Sequence, residues 1–214
     1  MIEFAGVSVR NLRVERLAIP AGLTAVIGTN GAGKTTLLEL CCGLLLPDEG
    51  AVLVDGRPIR EADTALVPAF PGSSLIFSRV ADELASCGRF AGLAPREVAQ
   101  RVEEAADAVD ARHLLDRSTR SLSGGEQFVV SLAAGLAGRP AVLVLDEFDG
   151  ALDRESLTGL LPAIRAAGAR YVLWSTHDAA LAAWADHSIA LEAGRVAATG
   201  PAALALFEGW ECAA

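Results

Sequence analysis

Over the first 22 positions, apolar Val7, Val9, Leu12, Val14, Leu17 and Ile19 alternate loosely with polar residues, until Pro20-Ala21-Gly22 breaks the run. Period-two alternation closed by turn formers predicts an antiparallel hairpin. Residues 23–27 are continuously apolar, as in a strand buried on both faces. A glycine-rich turn follows at 28–33, and then a helical pattern from 34 to 45, stopped by Pro47 and Asp48-Glu49-Gly50. Residues 51–54 and 65–67 read as short strands, with Asp55-Gly56 as a turn. Between 78 and 120 the strand patterns give way to helical ones at 80–87, 95–109 and 111–116. Arg96, Glu97, Arg101, Glu103 and Glu104 mark a solvated face there. Residues 141–145 and 171–174 are again apolar strands, separated by a helix around 155–167. Strands alternating with helices at this spacing predict an α/β fold. Its sheet is mainly parallel and covered on both faces, with an N-terminal antiparallel β part and a small helical insertion.

At 214 residues the chain suits one sizeable core, and 52% hydrophobic with 21% charged residues excludes a disordered chain. A net charge of −9 argues against nucleic acid as a partner, since that affinity comes from clustered Lys and Arg. No apolar run approaches the roughly 18–20 residues that span a bilayer, and Met1-Ile2-Glu3-Phe4 lacks the start of a signal peptide. A cytoplasmic chain, reaching a membrane only through a partner, is the expectation. Cys41, Cys42, Cys87 and Cys212 show no metal-ligand spacing and read as buried free thiols. Of the 18 basic residues, 17 are Arg and one is Lys, at position 34. A lone lysine in so arginine-biased a chain suggests a site that needs a compact ammonium and has no room for a planar fork.

Lys34 lies in Gly28-Thr29-Asn30-Gly31-Ala32-Gly33-Lys34-Thr35, which matches G-x-x-x-x-G-K-[ST] between an apolar strand and a helix. Glycines at 28, 31 and 33 let backbone N–H groups wrap a phosphate, and the helix N-terminus adds partial positive charge. Lys34 would neutralise the β- and γ-phosphates of a nucleoside triphosphate, and the Thr35 hydroxyl would ligate Mg²⁺. Asp146-Glu147 closes the strand at 141–145, at the strand end where α/β proteins bind ligands. Asp146 is the candidate Mg²⁺ residue, and Glu147 the candidate general base toward an attacking water.

Leu122-Ser123-Gly124-Gly125-Glu126-Gln127 completes the pattern, and with it the chain resembles the ATP-binding subunits of ABC transporters, whose signature reads LSGGQ or LSGGEQ. The family's other motifs occur in order: a D-loop at Ala151-Leu152-Asp153, a switch histidine in Ser175-Thr176-His177-Asp178, and a closing hairpin through Asp186-His187-Ser188-Ile189 and Glu192-Ala193-Gly194-Arg195-Val196. The resemblance implies a single domain over 1–214, with a P-loop NTPase core and β subdomain at 1–77 and 121–214 and a helical subdomain at 78–120. It implies ATP and Mg²⁺ as ligands, contacted by residues 28–35 with Thr36, and His177 as a sensor of the γ-phosphate. It also implies a head-to-tail homodimer, or heterodimer with a second ATPase subunit, in which Ser123, Gly124, Gly125, Glu126 and Asp153 of one subunit close over the nucleotide of the other. The partner it implies is a transmembrane permease, with this subunit peripheral on the inner face of the cell membrane. Ser123-Gly124-Gly125 opening a helix would make a second anion site, and one chain has no need of two for one triphosphate.

Two departures bear on activity. Near Asn11 the family carries an aromatic that stacks on adenine; here the hairpin reads Val9-Arg10-Asn11-Leu12-Arg13, so the expectation is that Arg10 or Arg13 stacks instead, or that base discrimination is weak. The family's Q-loop glutamine falls near Ala69, whose methyl group can neither ligate a metal nor orient water. The pair usually following the signature is also altered, to Phe128-Val129. Phe70-Pro71-Gly72-Ser73-Ser74-Leu75-Ile76-Phe77 before an acidic helix is similar to the cobalt and energy-coupling-factor importer branch, and the end at 214 suggests no regulatory C-terminal domain. Two alternatives stand beside the transport ATPase: a catalytically weak regulatory partner in a heterodimer, and a soluble ABC-type ATPase outside transport.

Overall fold

The computed structural model describes residues 1–147, 150, 152, 154–166 and 168–211. Ten strands and seven α-helices are assigned among them. β1 (Ile2–Val9) and β2 (Leu12–Ile19) form the expected hairpin, turned at Arg10-Asn11. With β4 (Glu49–Val54) and the two-residue β5 (Arg57–Pro58) they make a four-stranded antiparallel sheet in the order β2-β1-β4-β5.

The second sheet has six strands. β3 (Gly22–Gly28), β6 (Thr64–Val67), β7 (Val142–Leu145), β8 (Tyr171–Ser175) and β9 (His187–Glu192) run parallel, and β10 (Arg195–Thr199) pairs antiparallel at one edge, giving the order β10-β9-β3-β8-β7-β6. Period-two geometry divides its side chains between two cores. Val26, Val142, Val144, Tyr171 and Leu173 face the antiparallel sheet and α1 (Lys34–Cys41), which supplies Leu37, Leu38 and Leu40. Leu23, Ala25, Ile27, Leu143, Leu145, Val172 and Trp174 face the other way. There they meet α2 (Val80–Phe90), α3 (Pro95–Ala108), α4 (Gly124–Ala137), α5 (Arg154–Ala166) and α7 (Pro201–Glu211), with the four-residue α6 (Ala179–Ala182) beside them. The strands read as wholly apolar because each is covered on both faces.

Three expectations are corrected. α1 ends at Cys41, short of 45, because Gly43 adopts φ +71° and diverts the chain. Residues 111–116 hold only one 3₁₀ turn, Arg112–Leu114. Cys41 and Cys42 are buried free thiols, with burial pushing both thiols up, but Cys87 is exposed on the outer side of α2. Cys212 lies outside the described residues.

Candidate nucleotide site

The carboxyl ends of β3, β7 and β8 converge on one edge of the parallel sheet, and every candidate catalytic group is carried there. β3 delivers the glycine loop. Gly28 has φ +152°, and a Cβ there would stand 2.3 Å from the Leu191 carbonyl oxygen of β9, so only glycine lets the loop leave the strand at this point. Gly33 caps α1 with φ +103°, turning the chain so that the helix N-terminus faces the loop. The loop is braced from the far end of the sequence: Gly194 N–H, in the β9–β10 turn, donates to the Ala32 carbonyl at 3.1 Å.

Lys34 is buried, and its Nζ donates to the carbonyls of Gly28 (2.8 Å) and Thr29 (3.1 Å), so the ammonium lies inside the loop it follows. Thr35 Oγ1 donates to Asp146 Oδ2 at 2.9 Å, joining the start of α1 to the end of β7. Asp146 is 8% exposed, whereas Glu147 is exposed and holds φ +49°. A cavity of about 290 Å³ is lined by Asn11, Asn30, Gly31, Gly33, Lys34, Thr35, Thr36, Asp146, Glu147 and His177. Sequence positions 11 to 177 thus meet in one polar hollow with a cationic floor and a carboxylate wall. Thr29 and Ala32 complete the loop without lining the hollow; Ala32 is buried against the core.

The donor set fits a magnesium ion. A hydroxyl and a carboxylate within hydrogen-bond distance are hard oxygen ligands, and Mg²⁺ completes its shell from phosphates and water. Among the described residues no group of three His, Cys, Asp or Glu side chains could hold a metal alone, so substrate oxygens would have to share it.

Ser123, Gly124, Gly125 and Glu126 do not line this hollow among the described residues. Ser123 is the N-cap of α4: its Oγ accepts from Glu126 N–H (3.3 Å), and Glu126 Oε2 accepts from Ser123 N–H (2.7 Å). Glu126 also pairs with Arg117, and these donors, the Ser123 N–H foremost, hold its carboxyl below the usual range. Glu126 therefore serves its own helix, while the Gly124 side of the cap is open, with nothing within 4 Å of where a Cβ would lie. Asp153 lies outside the described residues.

At the base end both arginines have partners within the chain. Arg10 Nη1 is held by Glu39 Oε2 at 2.7 Å, and Arg13 Nη1 by the carbonyls of Arg10 (3.0 Å) and Leu12 (2.9 Å). Neither lines the hollow, whereas Asn11 does, with Nδ2 donating to the Gly31 carbonyl at 3.3 Å. Sequence reasoning also missed Ser175, whose hydroxyl touches both Asp146 and Glu147. The available signal was a hydroxyl closing an otherwise apolar strand at 171–174.

A family profile described as "ABC transporter" matches residues 16–149. The chain is 40% identical over 204 residues to the cobalt import ATP-binding protein CbiO of Rhodobacter capsulatus, covering 89% of this chain and 72% of that protein. Among solved structures, cbiO1 of Clostridium perfringens, part of the cbiONQ transporter complex, superposes with a TM-score of 0.84 at 24% identity, covering 99% of this chain and 92% of that one. A dimeric post-hydrolysis form of the ATP-binding cassette MJ0796, bound to ADP and Pi, superposes with a TM-score of 0.80 at 22% identity over 93% of this chain and 97% of that one. These two likenesses concern the fold, which is the P-loop cassette expected from the residues. The family match and the 40% identity carry the assignment: the chain belongs to the ABC transporter family.

Proposed function

We propose that this ATPase subunit powers an importer by closing head-to-tail on a second ATPase subunit around ATP, beneath a membrane permease. The observation that carries the reading is the separation of its two anion sites. The Lys34 hollow is not lined by residues 123–126 of its own chain among the described residues, and the Ser123-Gly124-Gly125 helix start has an open face, its neighbour Arg117 being paired with Glu126. A second copy, or a related subunit, supplies each with what it lacks. Asp153 belongs to the same closing surface in this reading.

Within the closed pocket, residues 28–34 bind the β- and γ-phosphates, with Lys34 exchanging its loop carbonyls for phosphate oxygens. Thr35 and Asp146 would hold Mg²⁺, which neutralises phosphate charge when bound. Glu147 takes the proton from a water as its oxygen bonds to the γ-phosphorus; the bond to the bridging oxygen breaks, and ADP leaves with the electron pair. His177 faces the γ-phosphate and loses that contact when phosphate departs. Removal of the shared phosphate then frees the two subunits to part.

The permease docks, in this reading, on exposed apolar side chains before and at the end of α2, namely Phe70, Ile76 and Phe90, which are 77%, 82% and 80% exposed, with Phe77 6.4 Å from Phe90 between ring centroids. Exposed apolar side chains of this size are costly to leave in water. No helix among the described residues is long and apolar enough to cross a membrane, so the subunit's place on the inner face of the membrane depends on that contact. The importer assignment rests on the resemblance to the cobalt import protein. The cobalt or energy-coupling-factor branch, and the helical subdomain at 78–120, are part of the same proposal.

One observation favours a second reading, a catalytically weak partner in a heterodimer. Ala69, where the family's glutamine is expected, carries only a methyl group, two residues after Val67, whose carbonyl accepts from Asp146 N–H at 2.9 Å and so ties this segment to the strand that ends at the metal carboxylate. The test is sizing in ATP with Mg²⁺. Glu147→Gln should form an ATP-dependent dimer and Lys34→Ala should not. A Glu147→Gln protein that stays monomeric alone but dimerises with a second ATPase subunit supports the heterodimer.

A further inference from the structure

Register places Leu145 opposite Trp174 on β7 and β8, so Asp146 and Ser175 are neighbours where the strands end. Ser175 is 1% exposed. Its hydroxyl donates to Asp146 Oδ1 at 2.6 Å and accepts from Glu147 N–H at 2.7 Å. The other carboxylate oxygen, Oδ2, accepts from Thr35 Oγ1 at 2.9 Å. Asp146 is therefore held from both sides, by β8 through one oxygen and by α1 through the other. Glu147 sits at φ +49°, a left-handed conformation that a residue with a β-carbon holds only when its surroundings enforce it. The Ser175 hydroxyl is the bond that fixes its N–H.

We infer that Ser175 is a positioning residue for the hydrolytic site: one hydroxyl sets the metal-holding carboxylate and the backbone of the general base at once. The inference rests on the roles proposed above for Asp146 and Glu147. Without the hydroxyl, Asp146 Oδ1 and Glu147 N–H lose their partner on β8, and the carboxylate can swing about its terminal bond. Lys34 and the loop amides do not depend on this bond, so triphosphate binding without metal should survive. His177 stands two residues beyond Ser175, so the same hydroxyl also ties the strand carrying the phosphate sensor to the strand carrying the base.

The experiment compares wild type with Ser175→Ala, Ser175→Cys and Ser175→Thr in the full chain, measuring equilibrium binding of a fluorescent ATP analogue in EDTA and across a Mg²⁺ titration, with steady-state hydrolysis alongside. In Ser175→Ala, binding in EDTA should stay within about twofold. The Mg²⁺ needed for half-maximal response should rise roughly tenfold, and kcat should fall about 10–100-fold with KM little changed, as when a bond orienting a metal carboxylate is removed. Ser175→Thr keeps the hydroxyl and should return within about threefold of wild type; Ser175→Cys, a weak donor of similar size, should behave as Ser175→Ala even if the alanine protein does not fold. Wild-type Mg²⁺ dependence in Ser175→Ala or Ser175→Cys overturns the inference. So does an equal loss of binding with and without Mg²⁺, the mark of a merely structural residue. If wild type binds ATP but never hydrolyses it, the proposed function fails, while the Mg²⁺ titration of binding still decides the role of Ser175.

Discussion

Gly194 lies far from Lys34 in sequence, yet replacing it with alanine should loosen the phosphate loop. It sits at φ +77° in the β9–β10 turn, and a Cβ there would be 2.0 Å from the Asn11 carbonyl oxygen and 2.9 Å from the carbonyl carbon. Both obstacles are backbone, so relief requires the turn and the β1–β2 hairpin to separate by about 1 Å. The left-handed torsion costs an alanine roughly 1–2 kcal/mol. Forced separation in a packed region adds roughly 1–3 kcal/mol. The total, about 2–5 kcal/mol, excludes two hydrogen bonds at risk in the same movement, Gly194 N–H to Ala32 O (3.1 Å) and Arg13 N–H to Gly194 O (2.8 Å). Gly92→Ala isolates the collision, because Gly92 has a similar φ of +69° but nothing within 4 Å of its Cβ position. Urea unfolding should place Gly194→Ala well below Gly92→Ala, and only Gly194→Ala should weaken ATP binding, since only it disturbs the bond to Ala32. Equal stability losses in the two variants would refute the reasoning.

Glu147→Gln should lower kcat at least 100-fold while ATP still binds, measured by phosphate release and by equilibrium binding; wild-type turnover would remove Glu147 as the base. Ala69→Gln should raise ATPase activity by restoring the amide that the family carries at this position, and an unchanged rate would show that the glutamine's absence is not limiting. ATP and GTP should compete for the site with affinities within about threefold, because Arg10 and Arg13 are engaged elsewhere and Asn11 offers no ring; a strong ATP preference would contradict this. Burial, with a hydrogen bond to Asp55, pushes the Tyr171 hydroxyl up to about 12. That group's contribution is complete below its ordinary value near 10 and is lost as pH rises toward 12, so wild type should lose stability over that window relative to Tyr171→Phe, measured in urea.

How much of this was legible beforehand depended on whether a property is local. The loop at 28–35 could be read because glycine, lysine and threonine act within one turn of chain, and because strand and helix patterns flank it. Buried strands such as 141–145 were equally plain, since coverage on both faces leaves an unbroken apolar run. The order of the six strands could not be read, nor could the fact that Gly28 faces Leu191 or that Gly194 braces Ala32; strand order rests on non-local pairings, and the last two contacts join residues more than 150 positions apart. The Glu39 partner of Arg10 was hidden for the same reason. Arg10 sits in the hairpin turn itself, and only the fold brings Glu39 of α1 to its guanidinium.

That distinction also bears on the proposal that a second subunit completes the site. The motifs at 28–35, 141–147 and 177 are distant in sequence but collect in one hollow because the parallel sheet brings their strand ends together. The signature is flanked by no strand of that sheet. It begins α4, which packs with α2 and α3 as well as on the sheet at Ala65 and Leu143, and in this position its first turn does not line the hollow. Its cap is complete within the chain through Ser123 and Glu126, which leaves the Gly124 amide edge as the part open to a phosphate. Closing the gap within one subunit would require α4 to leave its apolar contacts at Phe128, Leu132 and Leu136, all buried. In the proposed reading pairing completes the pocket and leaves both cores intact, and Phe128→Asp, which would free α4 from its core, should destabilise the fold without producing a competent monomer. ATP hydrolysis by that variant at a rate independent of protein concentration would reverse the conclusion.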